Sequence, residues 1–84
     1  MTLSAADARS TVLAVLGSIA PEADLAALDP RANLRRALDL DSVDFQTFLI
    51  GLVKATGVDV PDRAAPSLVT LDACVAHLTG HAAG

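Results

Sequence analysis

Ser42 stands between two aspartates near the middle of the 84-residue chain, just before a strongly apolar segment. A serine hydroxyl can act as a nucleophile when a general base and an oxyanion site stand beside it. Neither is indicated: helical spacing puts His77 on the outer face of the last predicted helix, and His81 lies in the tail. The chain also has no Gly-x-Ser-x-Gly elbow, so the sequence favours a protein without catalytic activity.

Asp41 and Asp44 are the other groups near Ser42 that could do chemistry, as a pair of carboxylates. Acidic side chains are favourable at the start of a helix, because they face its free N–H groups and the positive end of its dipole. Serine is common there as well, since its oxygen can cap an orphan N–H. From these three residues alone, helix capping is the better interpretation.

The helix that begins at this serine is predicted over residues 42–56, with Gly57 as its left-handed C-terminal residue. At 100° per residue, its apolar positions cover an arc of about 220°. An arc this wide predicts contact with several neighbouring elements, and the opposite face is predicted to hold Gly51 among polar and small residues. The apolar positions are Val43, Phe45, Phe48, Leu49, Ile50, Leu52 and Val53.

A first helix is predicted over residues 4–19, with Ser4 and Asp7 as a capping pair. Residues 21–41 then form a long connection with a helical turn within 22–28. A connection of this length is unusual unless it is packed or functional, so we expect leucines to anchor it to the core. The anchoring leucines are Leu34, Leu38 and Leu40.

The same connection carries a basic cluster, Arg31, Arg35 and Arg36. Such clusters usually form a solvated face whose charges have carboxylate neighbours. We interpret this one in the same way.

The last helix is predicted over residues 70–78, with Thr70 as its N-cap and Gly80 ending it. A short helical turn is predicted before it at 62–65, and residues 79–84 are expected to form a flexible tail. The inner face of the last helix is predicted to hold Leu71, Cys74, Val75 and Leu78, with Cys74 as a small core residue. The predicted fold is an all-α bundle of three main helices and one short helix, in a single domain over residues 1–84.

Composition excludes several classes of function. The net charge of −4 argues against nucleic acid or an anionic membrane as the main partner. One cysteine cannot form an internal disulfide, and one cysteine with two histidines cannot form a usual four-ligand zinc site. No signal peptide or membrane-spanning run is recognisable, so we expect a cytoplasmic protein. We also expect it to be a monomer.

The stretch Asp41-Ser42-Val43-Asp44-Phe45 resembles the Asp-Ser-Leu phosphopantetheine attachment motif of acyl carrier proteins. Three further segments are similar to that family at matching spacing, so that the resemblance covers about residues 34–78. The spaced set is far more specific than the three-residue motif. The segments are Leu34-Arg35-Arg36-Ala37-Leu38-Asp39-Leu40, Gly57-Val58-Asp59-Val60-Pro61 and Thr70-Leu71-Asp72-Ala73.

The resemblance implies a four-helix carrier that is modified at Ser42. A separate phosphopantetheinyl transferase would attach 4′-phosphopantetheine from coenzyme A with magnesium, and the prosthetic thiol would carry acyl groups between a loading ligase and acyl-processing enzymes. Part of an acyl chain could shelter against Phe45, Phe48 and Leu49, although core packing is the stronger interpretation of each. The expected partner surface is Asp41, Val43, Asp44, Thr47, Val53 and Lys54.

The chain also departs from many fatty-acid carriers. The later turns of the central helix are poor in acids, Asp39 replaces a frequent glycine, and Thr56 replaces a large apolar residue. Charge steering of partners should therefore be weaker, which favours a specialised lipid or secondary-metabolite pathway over housekeeping fatty acid biosynthesis. An aminoacyl, peptidyl or polyketide carrier remains an alternative, and so does an unmodified helical adaptor.

Overall fold

A computed structural model describes residues 3–82, and in that range helices are the only regular secondary structure, without β-strands. This confirms the predicted all-α class with three main helices. The helices are α1 (Ala5–Ile19), α2 (Leu34–Ala37), α3 (Ser42–Thr56) and α4 (Leu71–Ala82), with short 3-10 helices at Leu25–Ala27 and Ala65–Ser67.

The core forms where α1 lies against both α3 and α4. Each long helix contributes side chains on helical spacing, so burial of one apolar stripe per helix stabilises the bundle. The buried side chains of these helices are Ala8, Val12 and Leu16 of α1, Phe48 and Leu52 of α3, and Leu71, Cys74 and Leu78 of α4.

The wide apolar arc predicted for α3 is only partly buried. Val43 is 69% exposed and Ile50 is 48% exposed, so these two side chains do not contact several neighbours as predicted. Gly51, which was predicted on the face opposite the apolar arc, instead faces α1. A Cβ atom at Gly51 would lie 2.7 Å from Cγ1 of Val15, so α3 approaches α1 closely at this glycine. Apolar periodicity cannot find such a contact, since glycine has no side chain to signal it.

The long connection is anchored as predicted. Leu34 is fully buried, Leu40 is nearly so, and Leu38 packs against the core. The four-residue α2 was not predicted as a helix; Asn33 caps it by accepting the N–H of Arg36 at 3.2 Å.

The helix ends follow local capping signals. Ser4 Oγ accepts the N–H of Asp7 at 3.0 Å, as predicted for α1. Gly57 ends α3 with φ 73°, also as predicted. Thr70 Oγ1 accepts the N–H of Ala73 at 3.0 Å, which confirms it as the cap of α4.

Two predicted boundaries are wrong. The helix α4 continues through Gly80 to Ala82 instead of ending near residue 78, because this glycine keeps a helical conformation. The predicted turn at 62–65 is present, with the Ala65 N–H donating to the Asp62 carbonyl oxygen at 3.3 Å. Pro66 does not end it, however, but lies inside the 3-10 helix Ala65–Ser67, since proline is tolerated in a first turn that needs no N–H from it. Positions 83 and 84 lie outside the described residues, and the flexible tail over 79–84 stays a prediction.

Candidate functional site

The first turn of α3 is closed by a reciprocal capping box of two aspartates. Asp41 Oδ1 accepts the N–H of Asp44 at 2.8 Å, and Asp44 Oδ2 accepts the N–H of Asp41 at 3.5 Å. Asp41 is therefore the N-cap, and Ser42 is the first helical residue. Helix capping was the simplest interpretation of all three residues, and it is correct for the aspartates but wrong for Ser42.

The hydroxyl of Ser42 is consequently left without a structural role. The residue is exposed, and no described residue hydrogen-bonds to its Oγ. The N–H groups of Ser42 and Val43, at the first two positions of α3, likewise have no partner in the described part of the chain. An accessible hydroxyl beside two free N–H groups fits the attachment of a phosphodiester, because a helix N-terminus favours negative charge.

His77 is not positioned as a general base for this hydroxyl. His77 Nε2 lies 2.9 Å from the carbonyl oxygen of Asp59, in the segment that follows α3. A helix of 15 residues is about 20 Å long, and Ser42 stands at its other end. Between residues 3 and 82 there is also no group of three or more metal-ligating side chains.

The segment that leads to Ser42 turns at Asp39, which adopts a left-handed conformation with φ 54°. Few residues other than glycine adopt it, although aspartate does so more often than most. The turn lets the N–H of Leu40 donate to the carbonyl oxygen of Arg35 at 2.8 Å. Beside it lies an open cleft of about 440 Å³ lined by Asn33, Arg35, Arg36, Asp39 and Leu40.

The basic cluster forms a solvated face, as predicted, since Arg31, Arg35 and Arg36 are all exposed. Asp29 is a local carboxylate neighbour, because its Oδ1 accepts the backbone N–H of Arg31 at 2.9 Å, but no described carboxylate lies within ion-pair distance of the three guanidinium groups. Instead, Cζ of Arg35 lies 5.9 Å from the ring centroid of Phe45, within the range of a cation–π contact. Sequence reasoning missed this contact because nine residues, including the turn at Asp39, lie between Arg35 and Phe45.

The predicted partner surface lies mainly on the outer side of α3. Asp41, Val43, Thr47 and Lys54 are exposed and Asp44 is half-buried, whereas Val53 lines a groove. Ile50, which the apolar pattern assigns to the packed arc, is also exposed. The exposed positions 43, 47, 50 and 54 follow the spacing of one helix face.

A small groove runs between α3 and the segment after it, with a volume of about 120 Å³. Leu49 lines this groove, whereas Phe45 and Phe48, the other two side chains considered for sheltering an acyl chain, do not. Phe48 is fully buried in the core, and Phe45 packs against it with ring centroids 5.9 Å apart. The groove is lined by Gln46, Leu49, Ile50, Val53, Val60, Asp62 and Ala65.

Cys74 is a core residue, as predicted. Its side chain is buried, and Sγ donates to the carbonyl oxygen of Leu68 at 3.6 Å. Burial raises the pKa of the Cys74 thiol to about 12. The group is therefore a neutral thiol near pH 7 and is not a reactive thiolate.

The chain is similar to a known protein over part of its length. No protein-family model matches the chain. Within the described residues, no helix combines the length and apolar character needed to cross a membrane. The chain is 29% identical over 58 residues to an acyl carrier protein of Rubrobacter xylanophilus. The aligned region covers 69% of this chain and 72% of that protein. This similarity, together with the all-helical fold, supports a carrier role.

Proposed function

We propose that the protein is an acyl carrier whose Ser42 bears 4′-phosphopantetheine. The observation that carries the proposal is the exposed Ser42 hydroxyl, which is free because Asp41 caps α3 in its place. When bound, the group supplies a thiol that holds acyl groups as thioesters. The carrier itself needs no base or metal, because it is the substrate of the enzyme that modifies it.

The modification requires only the serine oxygen from this chain. Ser42 Oγ forms a bond to the phosphorus of coenzyme A that carries the pantetheine, the bond to the second phosphate breaks, and 3′,5′-ADP leaves. The hydroxyl proton passes to a base of the transferase, and magnesium balances the charge of the pyrophosphate. The free N–H groups of Ser42 and Val43 favour the resulting anion at this position.

The partners that this function requires are a phosphopantetheinyl transferase, a loading ligase and acyl-processing enzymes. We infer that they contact the outer side of α3, where Val43 and Ile50 offer apolar area between Asp41 and Lys54. Recognition would then rest more on apolar contact than on charge steering. We assign the carrier to a specialised pathway in the cytoplasm, acting as a monomer.

The cargo would be only partly enclosed. The groove beside Leu49 measures about 120 Å³, whereas pockets that bury a small molecule usually measure about 300–1,000 Å³. This size favours a short acyl group, or a longer one that extends into solvent. An aminoacyl, peptidyl or polyketide cargo is the alternative within the same fold, and identifying the acid that a cognate ligase loads would distinguish these.

A helical adaptor without a prosthetic group is the second candidate. It is favoured by the exposure of Val43 and Ile50, since a docking face for a partner would have this apolar character. In an adaptor, Ser42 would have no chemical role.

The test is the intact mass of the protein before and after incubation with coenzyme A, magnesium and a promiscuous phosphopantetheinyl transferase. We expect one added phosphopantetheine, its loss in Ser42→Ala, and its retention in Ser10→Ala, a control at another exposed serine. Absence of any addition to folded, unmodified protein would reject the carrier and leave the adaptor as the better account.

A further inference from the structure

Arg35 has an exposed guanidinium group whose charge is not balanced by any carboxylate within ion-pair distance in the described chain. Its position is nonetheless defined, since Cζ lies 5.9 Å from the ring centroid of Phe45. The backbone around it is held by the hydrogen bond from the Leu40 N–H to the Arg35 carbonyl oxygen. An arginine that is oriented but not neutralised is available to bind an anion.

The ring under this guanidinium belongs to the same side of α3 as Ser42. Residues three apart on a helix are neighbours, with Cβ atoms about 5–6 Å from each other. Helical side chains also lean toward the N-terminus, so that a side chain covers the turn before its own Cα. The ring of Phe45 therefore lies over the first turn of α3, and Arg35 stands beside the turn that presents Ser42.

The other charges near this turn are negative. Asp41 and Asp44 form the capping box, and Asp39 stands two residues before it. A phosphodiester on Ser42 would add one more negative charge, which the carboxylates would repel. Of the two arginines that line the neighbouring cleft, Arg35 contacts α3 through the ring of Phe45, whereas Arg36 makes no ion pair or cation–π contact with a described residue.

We propose that Arg35, held over Phe45, binds the phosphodiester that joins the prosthetic arm to Ser42. The proposal rests on the proposed function, since it requires modification at this serine. Its consequence is that the arm leaves α3 on the side of the Arg35 cleft. Phe45 then acts as a platform that orients the guanidinium.

The experiment compares apo and holo forms of each variant by thermal unfolding at low salt. The quantity is the loading shift, defined as the midpoint temperature of the holo protein minus that of the apo protein. We expect Arg35→Gln to lower the loading shift by about 3 °C relative to the unchanged protein. Arg35→Lys, which keeps the charge, should restore most of it, and about 1 M salt should remove the difference.

Two matched controls test the assignment. Arg36→Gln removes the same charge from the same cleft, and Arg9→Gln removes it from an exposed position on α1. Both should keep the loading shift of the unchanged protein. A second readout is the NMR signal of the Arg35 side-chain Nε–H, which should move on loading, whereas that of Arg9 should not.

The outcomes separate the two proposals. If the transferase adds no mass, both the carrier function and the role of Arg35 are overturned. If mass is added but Arg35→Gln keeps the full loading shift, or Arg36→Gln loses it equally, the carrier function stands and the role of Arg35 is overturned. The apo midpoint of each variant is its own reference, so a general loss of stability does not affect the comparison.

Discussion

Gly51 of α3 lies directly against Val15 of α1: a Cβ atom at Gly51 would lie 2.7 Å from Val15 Cγ1. Valine is stiff at χ1 in a helix, so it cannot easily turn away. The contact explains a glycine in the interior of a helix, where alanine would otherwise be favoured by about 1 kcal/mol.

Gly51→Ala should therefore lower the free energy of unfolding, by about 1–2 kcal/mol, because overpacking outweighs the gain in helix propensity. Gly17→Ala is the matched control in α1, since its Cβ would make an ordinary contact of 3.5 Å with Leu25 Cδ1. The control should raise the free energy of unfolding by up to about 1 kcal/mol. Urea denaturation measures the free energy of unfolding of both variants. A Gly51→Ala variant more stable than the unchanged protein would contradict the close approach.

The capping box predicts effects of different size on stability for substitutions at two adjacent residues. Asp41→Ala removes the N-cap and should cost about 1 kcal/mol of folding stability. Ser42→Ala removes no hydrogen bond and should change the stability of the apo protein by less than about 0.5 kcal/mol. Chemical denaturation of the two apo variants checks this, and a larger loss for Ser42→Ala than for Asp41→Ala would reject Asp41 as the cap.

The outer side of α3 should determine how well a partner enzyme engages the carrier. Val43, which is 69% exposed, stands next to Ser42, and Val43→Ser should lower kcat/KM for phosphopantetheine transfer by about fivefold to tenfold through lost apolar contact. Steady-state kinetics with coenzyme A measures the effect, with Ala14→Ser on α1 as an exposed control. An apolar contact predicts little dependence on salt, so a steep dependence would indicate recognition by charge instead.

The buried thiol of Cys74 predicts a loss of stability in alkali. Its pKa rises from 9.0 to about 12 on burial, so above about pH 9 the unfolded chain releases a proton that the folded protein keeps. The contribution of the buried thiol to the free energy of unfolding is complete below about pH 9. Above that pH it falls by up to about 1.4 kcal/mol per pH unit. Urea denaturation between about pH 8 and 11 should show a steeper fall for the unchanged protein than for Cys74→Ala. Parallel curves would contradict the burial of an ionisable thiol.

Local signals predicted much of this fold from the sequence. The bounds of α3, the Ser4 and Thr70 caps and the left-handed Gly57 follow from interactions within a few residues, so neighbouring side chains determine them. The leucines that anchor the connection were likewise recognisable, because leucine is among the residues most often buried.

Tertiary structure decided the features that depend on distant residues. Periodicity cannot tell which part of a wide apolar arc meets a neighbour, so only the packed bundle distinguishes buried Phe48 from exposed Ile50. The contact of Arg35 with Phe45 needs the left-handed turn at Asp39 to bring the connection back onto α3. The sequence by itself determined which serine begins the central helix. The fold decided which groups stand beside it, because side chains far apart along the chain become neighbours only when the helices pack.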